Sequence, residues 1–239
     1  MITKEFFNLR YEIHALPIIT EILETLLEFG DLKHKPGLDV GCGWGWFLHY
    51  ANKKGINMYG FEIHSKLLEK ALIFGVRTDR LLISDVQHMP FKEKAFEFIL
   101  CWHVLEHISD HQKALTEIQR ILKTGGILIL GVPNDATVTN LIFKLFRLLL
   151  LKGIDNYFTK NLAFYDPTHL REYKLSSLLN MLINDFHIIK FRFDFLSLPI
   201  FRIFKLFKIP PLQTKTLIKI GKCMPHTFKR SIEIYAKKK

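Results

Sequence analysis

Between residues 37 and 133, short apolar runs alternate with segments that repeat apolar residues at helical spacing, and no other feature limits the fold so much. GLDVGC, NMYGFEI, RLLISDV, FEFILCW and GILILGVP have the length and side chains of strands, whereas WFLHYANKK, HSKLLEKALIF and DHQKALTEIQRILK have the spacing of amphipathic helices. Alternation of this kind requires a parallel sheet covered on both faces, because each strand must be carried back by a crossover to start beside another. ILIL and FILC are apolar without a break, as central strands buried on two sides must be. Upstream, ALPIITEILETLLEFG (15–30) reads as an amphipathic helix that stops at Gly30. Downstream, LSSLLNMLIN reads as a helix, FHIIKFRFD as a sixth strand and SIEIYAKKK as a seventh. The expected class is α/β, a doubly wound seven-stranded sheet.

In such a sheet ligands sit beyond the carboxyl ends of the strands. LDVGCGWGWFLHYA (38–51) occupies the first strand-to-helix turn and places Gly41, Gly43 and Gly45 at every second position. Glycine there permits left-handed backbone and removes the Cβ, so a flat ligand can lie against the main chain. Glu62 ends the second strand about twenty residues on, where a carboxylate accepts from the two hydroxyls of a ribose. Asp85 ends the third strand, where it can accept from an exocyclic amine such as that of adenine. A dinucleotide dehydrogenase shares the turn and the ribose acid, but its GxGxxG spacing differs from the GxGxG found here, and the bulky Trp46 suits a phosphate clamp poorly.

The series DVGCGWG, GFEI, SDVQHMPF, FEFILCWHVLEHISD and LKTGGILILGVPN resembles the class I S-adenosylmethionine-dependent methyltransferases, in the branch of the ubiquinone-biosynthetic O-methyltransferases and many sugar and lipid methyltransferases. The likeness runs over residues 36–134, 166–194 and 231–239. It implies a Rossmann-like sheet, mostly parallel with the last strand antiparallel, and S-adenosyl-L-methionine as cofactor. Gly41, Gly43 and Gly45 would face its methionine part with Asp39 near the ammonium. Glu62 would take the ribose, Asp85 and the backbone of Val86 the adenine, and Trp102 and His103 would line the sulfonium side. Trp44 and Trp46 stand where members often have small or polar residues.

Methyl transfer to a hydroxyl needs a proton acceptor, and histidine suits that task near neutral pH. His103 and His169 are the candidate catalytic residues; His169, in DPTHLREY, resembles a histidine that returns over the substrate in the quinone O-methyltransferases. Glu106 and His107 match a LEH motif common in the family. His103, His107 and His111 recur every four residues, but a helix is not expected there, since Ser109 or Asp110 should cap the next one; no metal site is expected.

The formal charge of +11 is unevenly placed: residues 1–134 carry 15 Lys+Arg against 16 Asp+Glu, and residues 135–239 carry 19 against 7. The excess lies in two basic, apolar inserts, 135–165 and 195–230, within an expected single methyltransferase domain spanning 1–239. Their cations interleave with Leu, Ile and Phe, which suits an anionic lipid surface or a substrate lid better than RNA. Three widely spaced cysteines suit a reducing compartment. The first residues lack the zones of a secretory signal and no apolar run approaches a membrane span, so the expected location is cytoplasmic, peripheral to the inner membrane face at most. The expected function is O-methylation of a hydrophobic or lipid-linked small molecule. The alternatives are a soluble sugar or metabolite as acceptor, or a cofactor-binding protein without catalysis.

Overall fold

A computed structural model of the protein describes residues 16–135, 168–196 and 229–239. In chain order the elements are α1 (Leu16–Leu27), β1 (Gly37–Val40), α2 (Trp46–Lys53), β2 (Met58–Glu62), α3 (Ser65–Phe74), β3 (Leu81–Ile83), β4 (Phe96–Trp102), α4 (His111–Ile121), β5 (Leu122–Pro133), α5 (Leu175–Leu182), β6 (Phe186–Leu196) and β7 (Lys229–Lys238). Short 3-10 turns occupy Thr78–Arg80 and Leu105–His107. The strands form one sheet in the order β3-β2-β1-β4-β5-β7-β6. Pairing is parallel from β3 through β5, and β7 runs antiparallel to both of its neighbours.

The order reverses between β2-β1 and β1-β4, and that reversal opens the crevice where α/β sheets hold ligands. Side chains of β4 divide by the strand period of two. Phe98 and Leu100 enter the layer under α1, α2 and α3, and Ile99 and Cys101 enter the layer under α4 and α5. β1 obeys the same rule, with Leu38 and Val40 in the second layer and Asp39, buried, on the opposite face. α4 begins at a true cap, Asp110 Oδ1 accepting from the N–H of Lys113 at 3.0 Å, so the three histidines at four-residue spacing do not share a helix.

α1 lies over the sheet and is tied to β6 by Arg192 with Glu21 at 3.0 Å and Lys190 with Glu28 at 2.9 Å. Arg192 also meets the fully buried Glu233 of β7, and both cations lie over the ring of Tyr235. The bulk of the two basic inserts lies outside the described residues. The second is shorter than its expected 195–230, because β6 continues to Leu196 and β7 starts at Lys229. Among the described residues no helix is long and apolar enough to cross a membrane. Cys42 and Cys101 are free and buried, and burial pushes both thiols above their ordinary range, which leaves them unreactive.

Candidate active site

Gly41, Gly43 and Gly45 all take positive φ, at 64°, 53° and 70°. A Cβ on Gly41 would stand 2.6 Å from Val104 Cγ2, and one on Gly45 would stand 2.9 Å from Ala71 Cβ and Val76 Cγ2. Only Gly43 faces open space, with nothing within 4 Å of an added Cβ. Two of the three glycines are therefore required by the protein's own packing, and Gly43 is the one that presents bare backbone. The turn is closed by the N–H of Cys42 donating to Phe61 O and that of Gly45 donating to Cys42 O.

Glu62 is fixed before any ligand arrives. Its Oε1 accepts from the N–H groups of Ile63 at 2.9 Å and His64 at 3.1 Å, and its Oε2 accepts from Gly43 at 3.2 Å. Three donors leave a carboxylate with lone-pair room for a further one, beside the bare backbone of Gly43. Asp85 Oδ1 accepts from Gln87 N at 2.8 Å, and its side chain is one-third exposed. Val86 turns its side chain into the core.

A cavity of about 290 Å³ opens on the other side of the turn. Ile18, Ile19 and Ile22 of α1 roof it, Asp39, Gly41 and Cys42 form its floor, and Trp44, Trp46 and Trp102 stand around it. Trp44 and Trp46 meet edge to face with centroids 5.1 Å apart, and Lys70 Nζ lies 4.9 Å from the Trp44 ring centroid. Burial, reinforced by the negative charge of Glu62, pushes the Asp39 carboxyl up to about 8. An acid so placed at the floor of an apolar cavity suits a cationic ligand. Glu62, Asp85 and Val86 do not line this cavity. They lie along the neighbouring strand ends, outside it.

The two histidine candidates stand outside the cavity wall. His103 has positive φ (54°), its N–H donates to Gly131 O at 2.9 Å, and both ring nitrogens are engaged, Nδ1 with Glu106 Oε1 at 2.9 Å and Nε2 with Ser231 Oγ at 3.2 Å. It braces the end of β4 against β7. His169 lies with Nε2 4.0 Å from the same Glu106 oxygen and packs edge to face on His107. Arg171 and Tyr173 act as straps: Arg171 donates to the carbonyls of Ile108 and Ser109, and Tyr173 donates to Leu105 O and meets His111 Nδ1.

Sequence reasoning missed the roof of α1, because nothing in an amphipathic pattern tells which layer a helix joins. It also missed Gly131, across from Trp102 in β5. A Cβ there would stand 2.5 Å from the indole, so this glycine makes the room that lets Trp102 reach the cavity. An isolated glycine within an apolar strand was the available signal.

Residues 38–130 match the family model described as "Methyltransferase domain". An uncharacterized protein of Methanocaldococcus jannaschii is 37% identical over 132 residues, which cover 55% of this chain and 56% of that one. The ubiquinone biosynthesis O-methyltransferase of Hydrogenovibrio crunogenus is 27% identical over 116 residues, 47% of this chain and 48% of its own. The chain thus spans about half the length of the curated relatives it matches. Among solved structures, a possible histamine N-methyltransferase from Thermotoga maritima aligns with a TM-score of 0.62 at 22% identity, over 100% of this chain and 99% of its own, a likeness of fold alone. The matched residues contain the glycine turn, Glu62, Asp85 and the end of β4, and over residues 38–130 the chain is similar to the methyltransferase domain of S-adenosylmethionine-dependent enzymes.

Proposed function

We propose that the protein transfers a methyl group from S-adenosylmethionine to a hydroxyl of an apolar small molecule. The observation that carries this reading is the pairing of bare backbone at Gly43, beside the preset Glu62 carboxylate, with an apolar cavity floored by Asp39 and walled by three indoles. The residues present fit the cofactor. Glu62 has acceptor capacity for a ribose, Asp85 for an amine, and Asp39 is a buried acid that a cation would ionise. When bound, the cofactor supplies an electrophilic methyl on a sulfonium that departs as a neutral thioether. The chain's own part is position and dryness: Trp102 and the α1 isoleucines exclude water, and the carboxylates hold the nucleoside while the acceptor is aligned.

Of the two histidine candidates, His103 is engaged at both ring nitrogens, and the acceptor's proton is assigned to His169, beside Glu106. The whole chain forms one methyltransferase unit, with the basic inserts closing over the acceptor or meeting an anionic leaflet. Calorimetric titration with S-adenosylmethionine tests the site, and Glu62→Ala and Asp85→Ala should each weaken binding at least about tenfold, the loss of one charge-assisted hydrogen bond. Titration curves identical to wild type would reject their assignment. Label from methyl-tritiated cofactor should pass into a lipid extract; transfer into the aqueous metabolite fraction would replace the apolar acceptor with a soluble one.

A further inference from the structure

The segment that follows β4 and the segment that returns at residue 168 meet at a cluster outside the cavity. Glu106 has no exposed surface, and one carboxylate oxygen accepts from His103 Nδ1 at 2.9 Å while the other, Oε2, is buried without a hydrogen-bond partner among the described residues. A carboxylate oxygen left so is costly, and its presence in a folded chain calls for a missing partner. A carboxylate oxygen of Glu106 and one ring nitrogen each of His107 and His169 lie within 4.8 Å of one another. The rings of His107 and His169 are edge to face with centroids 4.8 Å apart.

The geometry points to a divalent transition-metal site made by Glu106, His107 and His169. A tetrahedral ion with bonds of about 2.1 Å holds its ligand atoms roughly 3.4 Å apart, so the present spread closes with a change of about 1.4 Å at most in any ligand-to-ligand distance. The surroundings are those of a supported site. His107 Nδ1 lies 3.2 Å from Thr168 O and 3.1 Å from Thr168 Oγ1, and in the tautomer that donates from Nδ1 to the carbonyl the lone pair is on Nε2. His103 holds the carboxylate from behind, and the Leu170 N–H donates to Glu106 O at 2.8 Å, so the two ligand-bearing segments are already joined. Two imidazoles and one carboxylate select a first-row ion over magnesium or calcium, which take oxygen ligands. His107 is exposed, and three protein ligands leave open positions on that side.

The consequence for transfer rests on the methyltransferase reading above. An ion held by Glu106, His107 and His169 would take over the task given to His169: it would acidify an acceptor hydroxyl so that its proton could pass to water and its oxygen attack the methyl carbon, with the carbon–sulfur electron pair going to sulfur. Metal binding itself is independent of that reading.

The test uses the full chain without a histidine tag, stripped with a chelator and titrated with cobalt(II). The expected result is one ion per chain, seen as visible d–d absorption and as heat. His107→Ala and His169→Ala should each lower the affinity at least about tenfold, and His187→Ala, an exposed residue of β6, should leave it unchanged. Glu106→Gln should abolish binding; because Glu106 is buried, its fold is checked by circular dichroism, and the His107 variant keeps the test decisive if it fails. Wild-type protein without cobalt absorption, or binding that survives in both histidine variants, overturns the site. Titration with S-adenosylmethionine on the same samples separates the two readings: cofactor bound without cobalt refutes the metal alone, and cobalt bound without cofactor refutes the methyltransferase reading alone.

Discussion

Asp39 shows what one buried side chain imposes on the cofactor. Burial and the negative charge of Glu62 hold its carboxyl near 8, so at neutral pH it keeps its proton. A cation seated beside it favours the ionised form, and binding below pH 8 must therefore expel that proton. Affinity for S-adenosylmethionine is expected to rise with pH up to about 8, at a slope approaching tenfold per pH unit, and to fall above it as the ligand's own α-amino group (about 7.8) deprotonates. Calorimetry at pH 6.5 in two buffers of different ionisation enthalpy should count close to one proton released by wild type and none by Asp39→Asn. Equal heats in the two buffers for wild type would refute the assignment. The stability sign is opposite: the unfolded acid ionises near 3.8 and the folded one near 8, so the native state holds more protons in between. Stability then falls as pH rises from about 4 to about 8, and Asp39→Asn should gain on wild type over that window. That an acid stands at this position was legible in LDVG. Its raised pKa was not, because it depends on α1 and Glu62 arriving from elsewhere in the chain.

At the scale of elements, the glycine turn was legible as a turn, and the structure divides its three glycines by function. A Cβ on Gly45 would stand 2.9 Å from Ala71 Cβ and Val76 Cγ2, whereas one on Gly43 would meet nothing within 4 Å. Gly45→Ala therefore adds overpacking to left-handed strain and should cost about 2 to 4 kcal/mol in urea unfolding. Gly43→Ala carries the backbone strain alone, about 1 kcal/mol, yet it places a methyl where the ligand would lie and should abolish cofactor binding. The opposite pattern, with Gly43→Ala binding normally, would mean that the ligand does not approach this backbone. The strands and helices between residues 37 and 133 were legible because alternation and apolar continuity are local signals, whereas the antiparallel β7 was implied by the family resemblance alone. The cavity roof, Gly131 behind Trp102 and the seat of His103 on Ser231 were not, because each joins elements far apart in sequence.

At the scale of the whole molecule, the cations of the C-terminal part fall in two settings of sequence: some on described strands, others in the acid-free segment 197–228. On the described C-terminal strands Lys190 pairs with Glu28, Arg192 with Glu21 and Glu233, and Lys238 donates to the carbonyls of Gln119 and Leu122. Residues 197–228 by contrast carry six Lys+Arg and no acid, set among Leu, Ile and Phe. Under the proposed leaflet contact each cation would contribute about 1 kcal/mol and the interleaved apolar residues would add to it, so six would be ample for binding that salt can reverse. With vesicles containing anionic lipid the protein should float at low ionic strength and remain in the soluble fraction at about 1 M salt, where the Debye length falls to about 3 Å. Lys205→Glu with Lys208→Glu removes two cations and adds two anions, and should abolish flotation while leaving cofactor titration unchanged, since no contact of the described site involves them. Absence from anionic vesicles at low salt would restrict the insert to covering the acceptor. Flotation on neutral vesicles to the same extent would show that apolar burial, and not charge, holds the protein there.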